Sequence, residues 1–357
     1  MSRLAGLRVV VAGAGAVGST VAFGLQAQGA RVVLVDPATL GDNASGVAAG
    51  MLAPAFEAVL DPASQGHYPL LKAARDAWPA LAEAAGLADL LERSGALWVD
   101  AEGALEAMRT RLGSVGVAAE RLSAAEAGRL SPGVDAPAGA VLAPDDWRIE
   151  PLEALRALRT AFVARGGQAR SASVTTIGNG EAVLADGERL AADAVILCTG
   201  LAPAGMAKLP GVLARLEPIK GQIVRFDGAG PTGGPAVRAP GLYVAPQSSG
   251  PAVGATMEAG RADRSVEPEA VERLAGLAAG LFPGLRGARA SGAAGVRAGS
   301  PDGLPLVGRT KEGPWLALGA RRNGWLLAPL VAQILADLLA GDDAGPFADR
   351  FDPTRFI

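Results

Sequence analysis

The most informative spacing in the chain is Gly13-Ala14-Gly15-Ala16-Val17-Gly18, followed by Asp36. It is chemistry by absence of side chains. A residue without Cβ at Gly13 permits a tight turn, Gly15 lets a pyrophosphate approach the backbone, and Gly18 lets a helix pack closely on a strand, so that the helix amino terminus presents N–H groups to phosphate oxygens. Asp36 falls where a carboxylate can accept hydrogen bonds from a ribose 2′-hydroxyl and where a 2′-phosphate would be repelled. In a chain with 49 glycines such a pattern arises readily by chance, and a bare tight turn is the competing reading. Context decides for the nucleotide site: the glycines stand between an apolar run and a helical one.

The elements that must hold this loop are legible around it. Leu7 to Ala12 is a continuous apolar, β-branched run, the pattern of a strand covered on both faces. Ser19 to Gln28 has helical apolar spacing, Gly29 stops it, and Arg31 to Asp36 is a second β-branched run, completing a βαβ unit. The fingerprint does not separate NAD from FAD. The segment Ala44-Ser45-Gly46-Val47-Ala48-Ala49-Gly50-Met51-Leu52-Ala53-Pro54 does. Its small residues let backbone amides, including those of Ser45, Ala49, Gly50 and Met51, approach an extended dinucleotide with a bulky planar ring.

Further along, Pro69 to Leu91 reads as one helix, and Gly95 to Asp100 as a strand leading into a more polar region. Pro132, Pro137 and Pro144 mark a loop-like stretch, and Pro151 to Arg165 another helix with proline in its first turn. Strands are expected at Ala172 to Ile177, Ala182 to Leu184, Ala194 to Cys198 (ending at Thr199-Gly200), Gly221 to Phe226 and Leu242 to Ala245. Helices follow at Pro268 to Leu281 and Leu326 to Leu339, the latter with an apolar stripe on one face.

Bulk properties bound the function. Half of the 357 residues are apolar, enough to bury a core in one large or two interleaved domains. Net charge is -3, and no basic cluster exceeds the pair Arg321-Arg322, so nucleic acid is not an expected partner. No apolar run spans a bilayer, Trp325 to Ala340 being interrupted by Pro329, Gln333 and Asp337. One cysteine (Cys198) and one histidine (His67) form neither a disulfide nor a zinc-type cluster. Cys198 reads as a small core hydrophobe, and His67 as a surface residue rather than part of a site entrance. The expectation is a metal-free cytoplasmic protein.

Several ordered blocks resemble the D-amino acid oxidase-like FAD-dependent oxidoreductases, nearest to the glycine oxidase branch associated with thiamine biosynthesis: Gly13 to Gly18, Ala48 to Pro54, Pro218 to Gln222, Gly254 to Glu258, Arg297 to Gly308, and Arg322 to Pro329. The resemblance implies an α/β fold, with a Rossmann-type, glutathione reductase-like FAD domain over 1–85, 146–215 and 291–357. It implies a discontinuous mixed-sheet α+β substrate domain over 86–145 and 216–290. It implies non-covalent FAD contacted by Ala16, Val17, Ser45, Val174, Gly200 and the Gly319 to Trp325 segment, which includes Arg322, Asn323, Gly324 and Trp325. Arg297 matches the arginine that pairs with the substrate carboxylate, Arg322 a second position near substrate and flavin, and Tyr243 a hydroxyl contact. Planar guanidinium suits that task, since it binds a carboxylate through two parallel charge-assisted hydrogen bonds. The chain departs from the pattern at Ala320-Arg321, where an aromatic residue or histidine is usual, and at Ala298, where a proline is usual. Both departures bear on the pocket.

The implied reaction is oxidation of glycine or another small amino acid by hydride transfer from the α carbon to flavin N5. It gives an imine, with dioxygen reoxidising the flavin to yield hydrogen peroxide and the imine feeding thiazole assembly. No side chain is required as acid or base. A dehydrogenase of D-amino acids or N-methyl amino acids with a non-oxygen acceptor is the rival, and a protein holding a nucleotide without catalysis is a third reading. The resemblance favours a homo-oligomer.

Overall fold

A computed structural model describes residues 3–178, 180–201, 206, 211–309 and 313–357. The βαβ unit forms as its pattern dictates: strand Arg8–Ala12, helix Ala16–Ala27, strand Arg31–Val35. These strands lie at the centre of a six-stranded sheet ordered Leu306–Arg309, Trp315–Leu318, Ala194–Leu197, Arg8–Ala12, Arg31–Val35 and Gln168–Arg170. Every pairing is parallel except that of the two strands contributed by the carboxy-terminal part. Parallel strands need both faces covered, and the fully buried residues Val11, Ile196 and Leu316 show that they are.

The second sheet is mixed. From Glu258–Ala259 it runs through Glu217–Phe226, Ala252–Gly254, Leu242–Ala245, Ala236–Ala239, Ala96–Trp98, Ala140–Ala143 and Glu120–Leu122. The strand Ala290–Gly299 pairs along the whole of Glu217–Phe226, and among the described residues only Ala236–Ala239 with Ala96–Trp98 is a parallel pairing in this sheet. A domain boundary at 291 would cut Ala290–Gly299 from the strand it pairs with; in the division we propose, the boundary moves to 299 for that reason. Helix Pro268–Leu281 covers this sheet through Leu274 and Ala278.

Five local expectations are corrected. Pro69 to Leu91 is two helices, Tyr68–Asp76 and Trp78–Ala85. Pro79 lacks an N–H and its ring would clash with the carbonyl four residues back, so the first helix ends and a second starts. Gly86, in the left-handed region at φ 70°, terminates the second. The polar region after Asp100 contains helices Glu102–Ser114 and Ala124–Leu130, the latter opened by a Ser123/Glu126 capping box. The proline-rich stretch encloses the strand Ala140–Ala143, and the Ala194 strand ends at Leu197, one residue before Cys198. The last helix, Gly324–Ala340, is buried continuously from Trp325 to Ala332 rather than along one stripe. Among the described residues no helix is long and apolar enough to cross a membrane.

Candidate active site

Two clefts meet inside the molecule. The first is lined by the glycine loop, Asp36, Ser45, Thr199-Gly200, and the Ala317 to Arg322 segment with Gly324 and Trp325. Its shape depends on missing side chains. Gly13, at φ 105°, would place a Cβ 2.5 Å from the Cys198 carbonyl oxygen, and a Cβ on Gly15 would meet Ser45 Oγ at 2.9 Å. Gly18 is under the floor: its Cβ would lie 1.8 Å from the Gly13 carbonyl oxygen, so it serves packing of helix on strand. Asp36 accepts the Ala14 N–H at 2.6 Å and the Ala38 N–H at 2.8 Å, which orients its carboxylate at the rim. Ser45 Oγ accepts the Ala16 N–H at 2.9 Å, and the Ser45 carbonyl accepts the Trp325 indole N–H at 3.0 Å.

Helices Ala16–Ala27 and Gly324–Ala340 both begin at this cleft, and neither N-cap residue, Gly15 or Asn323, supplies a side-chain cap, Ser45 taking the Ala16 N–H alone. Two such termini favour anionic or electron-rich atoms. A dinucleotide with a planar ring fits these residues.

The second cleft lies on one face of the nine-stranded sheet and encloses about 360 Å³. Arg238 is opposite Tyr243, Tyr243 opposite Gly254, and Gly254 opposite Ile223. Arg297 is opposite Ile219 on the same strand as Ile223. Directly opposed residues share a face and the side-chain period is two, so Arg238, Tyr243, Arg297 and the glycines Gly221 and Gly254 all belong to one face. The glycines make the face a shelf. A Cβ on Gly221 would stand 2.0 Å from Arg297 Nη1, and one on Gly254 would stand 2.4 Å from the Tyr243 hydroxyl. The guanidinium and the phenol therefore lie flat over bare backbone.

Electrostatically the cleft is unbalanced. Nη1 of Arg297 is buried and has no hydrogen-bond partner. Burial pushes this guanidinium below its ordinary range despite the help of Tyr243, and burial pushes the Tyr243 phenol up. Arg322 Nε lies 2.9 Å from Glu57 Oε2, and Arg238 Nη2 donates to Glu57 Oε1 at 3.1 Å. Burial alone would raise the Glu57 carboxyl; Arg322, Arg238 and Arg321 outweigh it and hold the group below the usual carboxylate range. Arg321, with φ 49°, is paired with Asp61.

Glu57 is carried by helix Pro54–Leu60, whose amino end has no cap of its own. Asp146 supplies one from a distance, accepting the Ala55 N–H at 2.6 Å and the Phe56 N–H at 3.0 Å. Burial pushes the Asp146 carboxyl up to about 7, against the pull of Arg238 and of those two donors. Arg225 adds a strut, its Nη2 donating to the carbonyls of Gly46 and Val47 at 3.2 and 3.0 Å, which ties the sheet to the small-residue loop.

The expected residues sort as follows. Arg297, Arg322 and Trp325 line both clefts and mark their junction, with Ala48 beside them. Gly13, Gly15, Ala16, Val17, Asp36, Ser45, Gly200 and Gly324 line the first cleft; Ala49, Gly50, Met51, Tyr243 and Asn323 line the second. The side chain of Val174 lines neither; it is buried under a three-stranded sheet, opposite Leu184. Cys198 lines the first cleft but is buried and its thiol is pushed up by that burial, so it stays protonated and unreactive. His67 starts helix Tyr68–Asp76 and meets Arg350, away from both clefts. Sequence reasoning missed Glu57, Arg238 and Asp146. For Glu57 and Arg238 a charged residue inside an otherwise apolar element was the available signal; Asp146, in the turn between Ala140–Ala143 and Trp147–Ile149, offered none.

The family described as "DAO: FAD dependent oxidoreductase" matches residues 8–338. The chain is 30% identical to a glycine oxidase of Pseudomonas putida over 96% of this chain and 98% of that protein. It is also 30% identical to a glycine oxidase of Geobacillus kaustophilus over 98% of this chain and 97% of that protein. The crystal structure of glycine oxidase from Geobacillus kaustophilus superposes with a TM-score of 0.83, covering 98% of this chain and all of that one. With the glycine fingerprint, the two helix ends that open on the first cleft and the match over most of its length, the chain belongs to the DAO family of FAD-dependent oxidoreductases, and FAD is its cofactor.

Proposed function

We propose that the protein oxidises the carbon–nitrogen bond of glycine or another small amino acid, giving an imine and, with dioxygen as acceptor, hydrogen peroxide. The observation that carries this reading is the buried, unpartnered Nη1 of Arg297 at the junction of the two clefts. An unpaired guanidinium N–H out of water is costly. A carboxylate in the second cleft satisfies it through a bidentate contact that fixes orientation as well as position.

FAD, when bound, accepts the hydride and passes the electrons on. The residues do the positioning. Arg297 and Tyr243 clamp the carboxylate, so the α carbon faces the first cleft, and Trp325 and Ala48 form the wall shared by both. Proximity of this kind is worth orders of magnitude in rate. Among the described residues Glu57 is the one carboxylate lining the second cleft, and Arg322, Arg238 and Arg321 hold it charged, which makes it an anchor and a poor proton acceptor. The amine must therefore arrive neutral. The relatives named glycine oxidase support the substrate class, and a relative named "Putative thiamine biosynthesis oxidoreductase ThiO" supports a supply role for the imine in thiazole assembly.

Anaerobic titration of the yellow holoprotein with glycine, sarcosine and D-alanine tests the reading: bleaching of the flavin is expected, and none with any amine would sink it. Peroxide on readmitting air selects the oxidase; reduction of artificial dyes without peroxide selects the dehydrogenase.

A further inference from the structure

The second cleft carries more positive charge than one carboxylate can use. Among the described residues three guanidiniums line it, those of Arg238, Arg297 and Arg322, against the single carboxylate of Glu57. Glu57 is divided between Arg238 and Arg322. Of these three side chains, two keep a buried N–H with no partner, Nη1 of Arg297 and Nε of Arg238. They belong to different arginines on one sheet face.

Arg238 is not a surface cation that happens to reach inward. It is 3% exposed, sits in the strand Ala236–Ala239, and lies over the Phe56 ring at 5.5 Å. The other charged groups nearby do not use up its donors: Asp146 is committed to the backbone N–H groups of Ala55 and Phe56, and Asp61 to Arg321. Glu57 meets Nη2 of this guanidinium alone, so its Nε stays buried without an acceptor, a state that a second anion in the cleft would relieve.

The geometry points to a substrate with two carboxylates: a small amine whose first carboxylate pairs with Arg297 and whose second meets Arg238. This deepens the proposed function and rests on it, because the α carboxylate, the amine and the hydride path are those already assigned. From the strand of Arg238 to the strand of Gly221, over which the Arg297 guanidinium lies, is three interstrand steps, roughly 14 Å along the sheet. Both side chains reach into the same cleft, which shortens the gap. An acidic D-amino acid or an N-carboxymethyl amino acid bridges it once the two ion-pair contacts are counted. With glycine bound, one buried N–H and one uncompensated positive charge remain; with such a diacid both are met.

Two measurements on the holoenzyme test this. In the first, anaerobic flavin reduction is followed with glycine, D-alanine, D-aspartate and iminodiacetate. At least one dicarboxylate is expected to exceed glycine in kcat/KM by tenfold or more, and Arg238→Gln to lower the dicarboxylate-to-glycine ratio by at least tenfold. A wild-type preference for glycine and D-alanine over both diacids overturns the proposal, as does a ratio unmoved in Arg238→Gln. In the second, which needs no variant and no turnover, the flavin spectrum is titrated with malonate and succinate against acetate and butyrate. Dicarboxylates are expected to bind at least tenfold tighter than the monocarboxylates, and equal binding overturns the second-carboxylate site. If no amine reduces the flavin, the oxidase reading fails, and the titration still decides the site by itself.

Discussion

The Nε atom of Arg322 stands 2.9 Å from Oε2 of Glu57, and this pair joins the loop before the last helix to the short helix Pro54–Leu60 across the floor of the second cleft. Because Glu57 also holds Arg238 at 3.1 Å, one carboxylate sets the spacing of two cations. The site's electrostatics and its shape are thus the same fact.

It follows that Glu57→Gln should be costly twice over. Removing one partner of a buried ion pair strands the other, at about 3 kcal/mol or more. Urea unfolding of the variant should show a midpoint lowered accordingly, and flavin reduction by glycine should slow as Arg238 and Arg322 repack. An unchanged midpoint would mean that the three charges are solvated rather than coupled.

Arg297→Leu should separate binding from folding. Loss of the bidentate contact predicts an apparent KM for the amino acid raised about 100-fold or more, the effect of truncating one member of a buried charge pair. The flavin-to-protein absorbance ratio should stay at the wild-type value. In the absence of substrate the variant should unfold at a higher temperature than wild type, since a buried, unpartnered N–H has been removed. A KM within a few-fold of wild type would take Arg297 out of the role.

Gly221→Ala tests the shelf. The new Cβ would stand 2.0 Å from Arg297 Nη1, and it is the flexible guanidinium that must move. Turnover should fail in the manner of Arg297→Leu, by KM, in a protein that still folds and holds FAD. Retention of wild-type KM would show that the guanidinium has room elsewhere.

How much of this was readable before the structure depends on how local each signal is. The glycine loop, its two strands and its helix were legible because every determinant lies within one short stretch: Gly13 needs φ 105°, and Gly18 packs on the Gly13 carbonyl. Arg297 and Arg322 were reachable only through ordered motifs, since a lone arginine among polar and small neighbours looks like a surface residue. The pairing of Glu57, Arg238 and Asp146 was not legible, because their partners come from distant elements and no spacing rule links them. Helix Glu102–Ser114 was hidden differently: its buried face is only Leu105, Met108 and Leu112 amid charged residues, a stripe too thin to stand out. The break between Tyr68–Asp76 and Trp78–Ala85 was legible at Pro79 and was overridden by the surrounding alanines and leucines.

At the other end of the site, Gly13→Ala should cost FAD rather than stability alone. The added methyl would fall 2.5 Å from the Cys198 carbonyl oxygen, at a backbone φ of 105° that alanine rarely adopts. The turn must therefore shift away from the cleft. Purified variant should be pale, with a flavin-to-protein absorbance ratio well below wild type that added FAD restores only partly. Full occupancy with an unchanged spectrum would place the dinucleotide elsewhere.

The last prediction concerns pH and the cap that aims Glu57. Asp146 is buried, and its carboxyl is pushed up to about 7 from an ordinary 3.8. The folded protein therefore holds this proton more tightly than the unfolded chain does. In the interval between those two values the native state binds more protons, so this group's contribution to stability falls as pH rises through the window and is constant above it. With each pKa unit equal to about 1.4 kcal/mol, the full excursion is at most about 4 kcal/mol. Asp146→Asn carries no titrating proton and still accepts one of the two N–H bonds from Ala55 and Phe56. The stability of wild type minus that of Asp146→Asn, measured by urea unfolding at several pH values from about 4 to about 7, should therefore decline steadily with pH. A flat difference would mean that Asp146 is ionised throughout, and that its two N–H donors and Arg238 outweigh its burial.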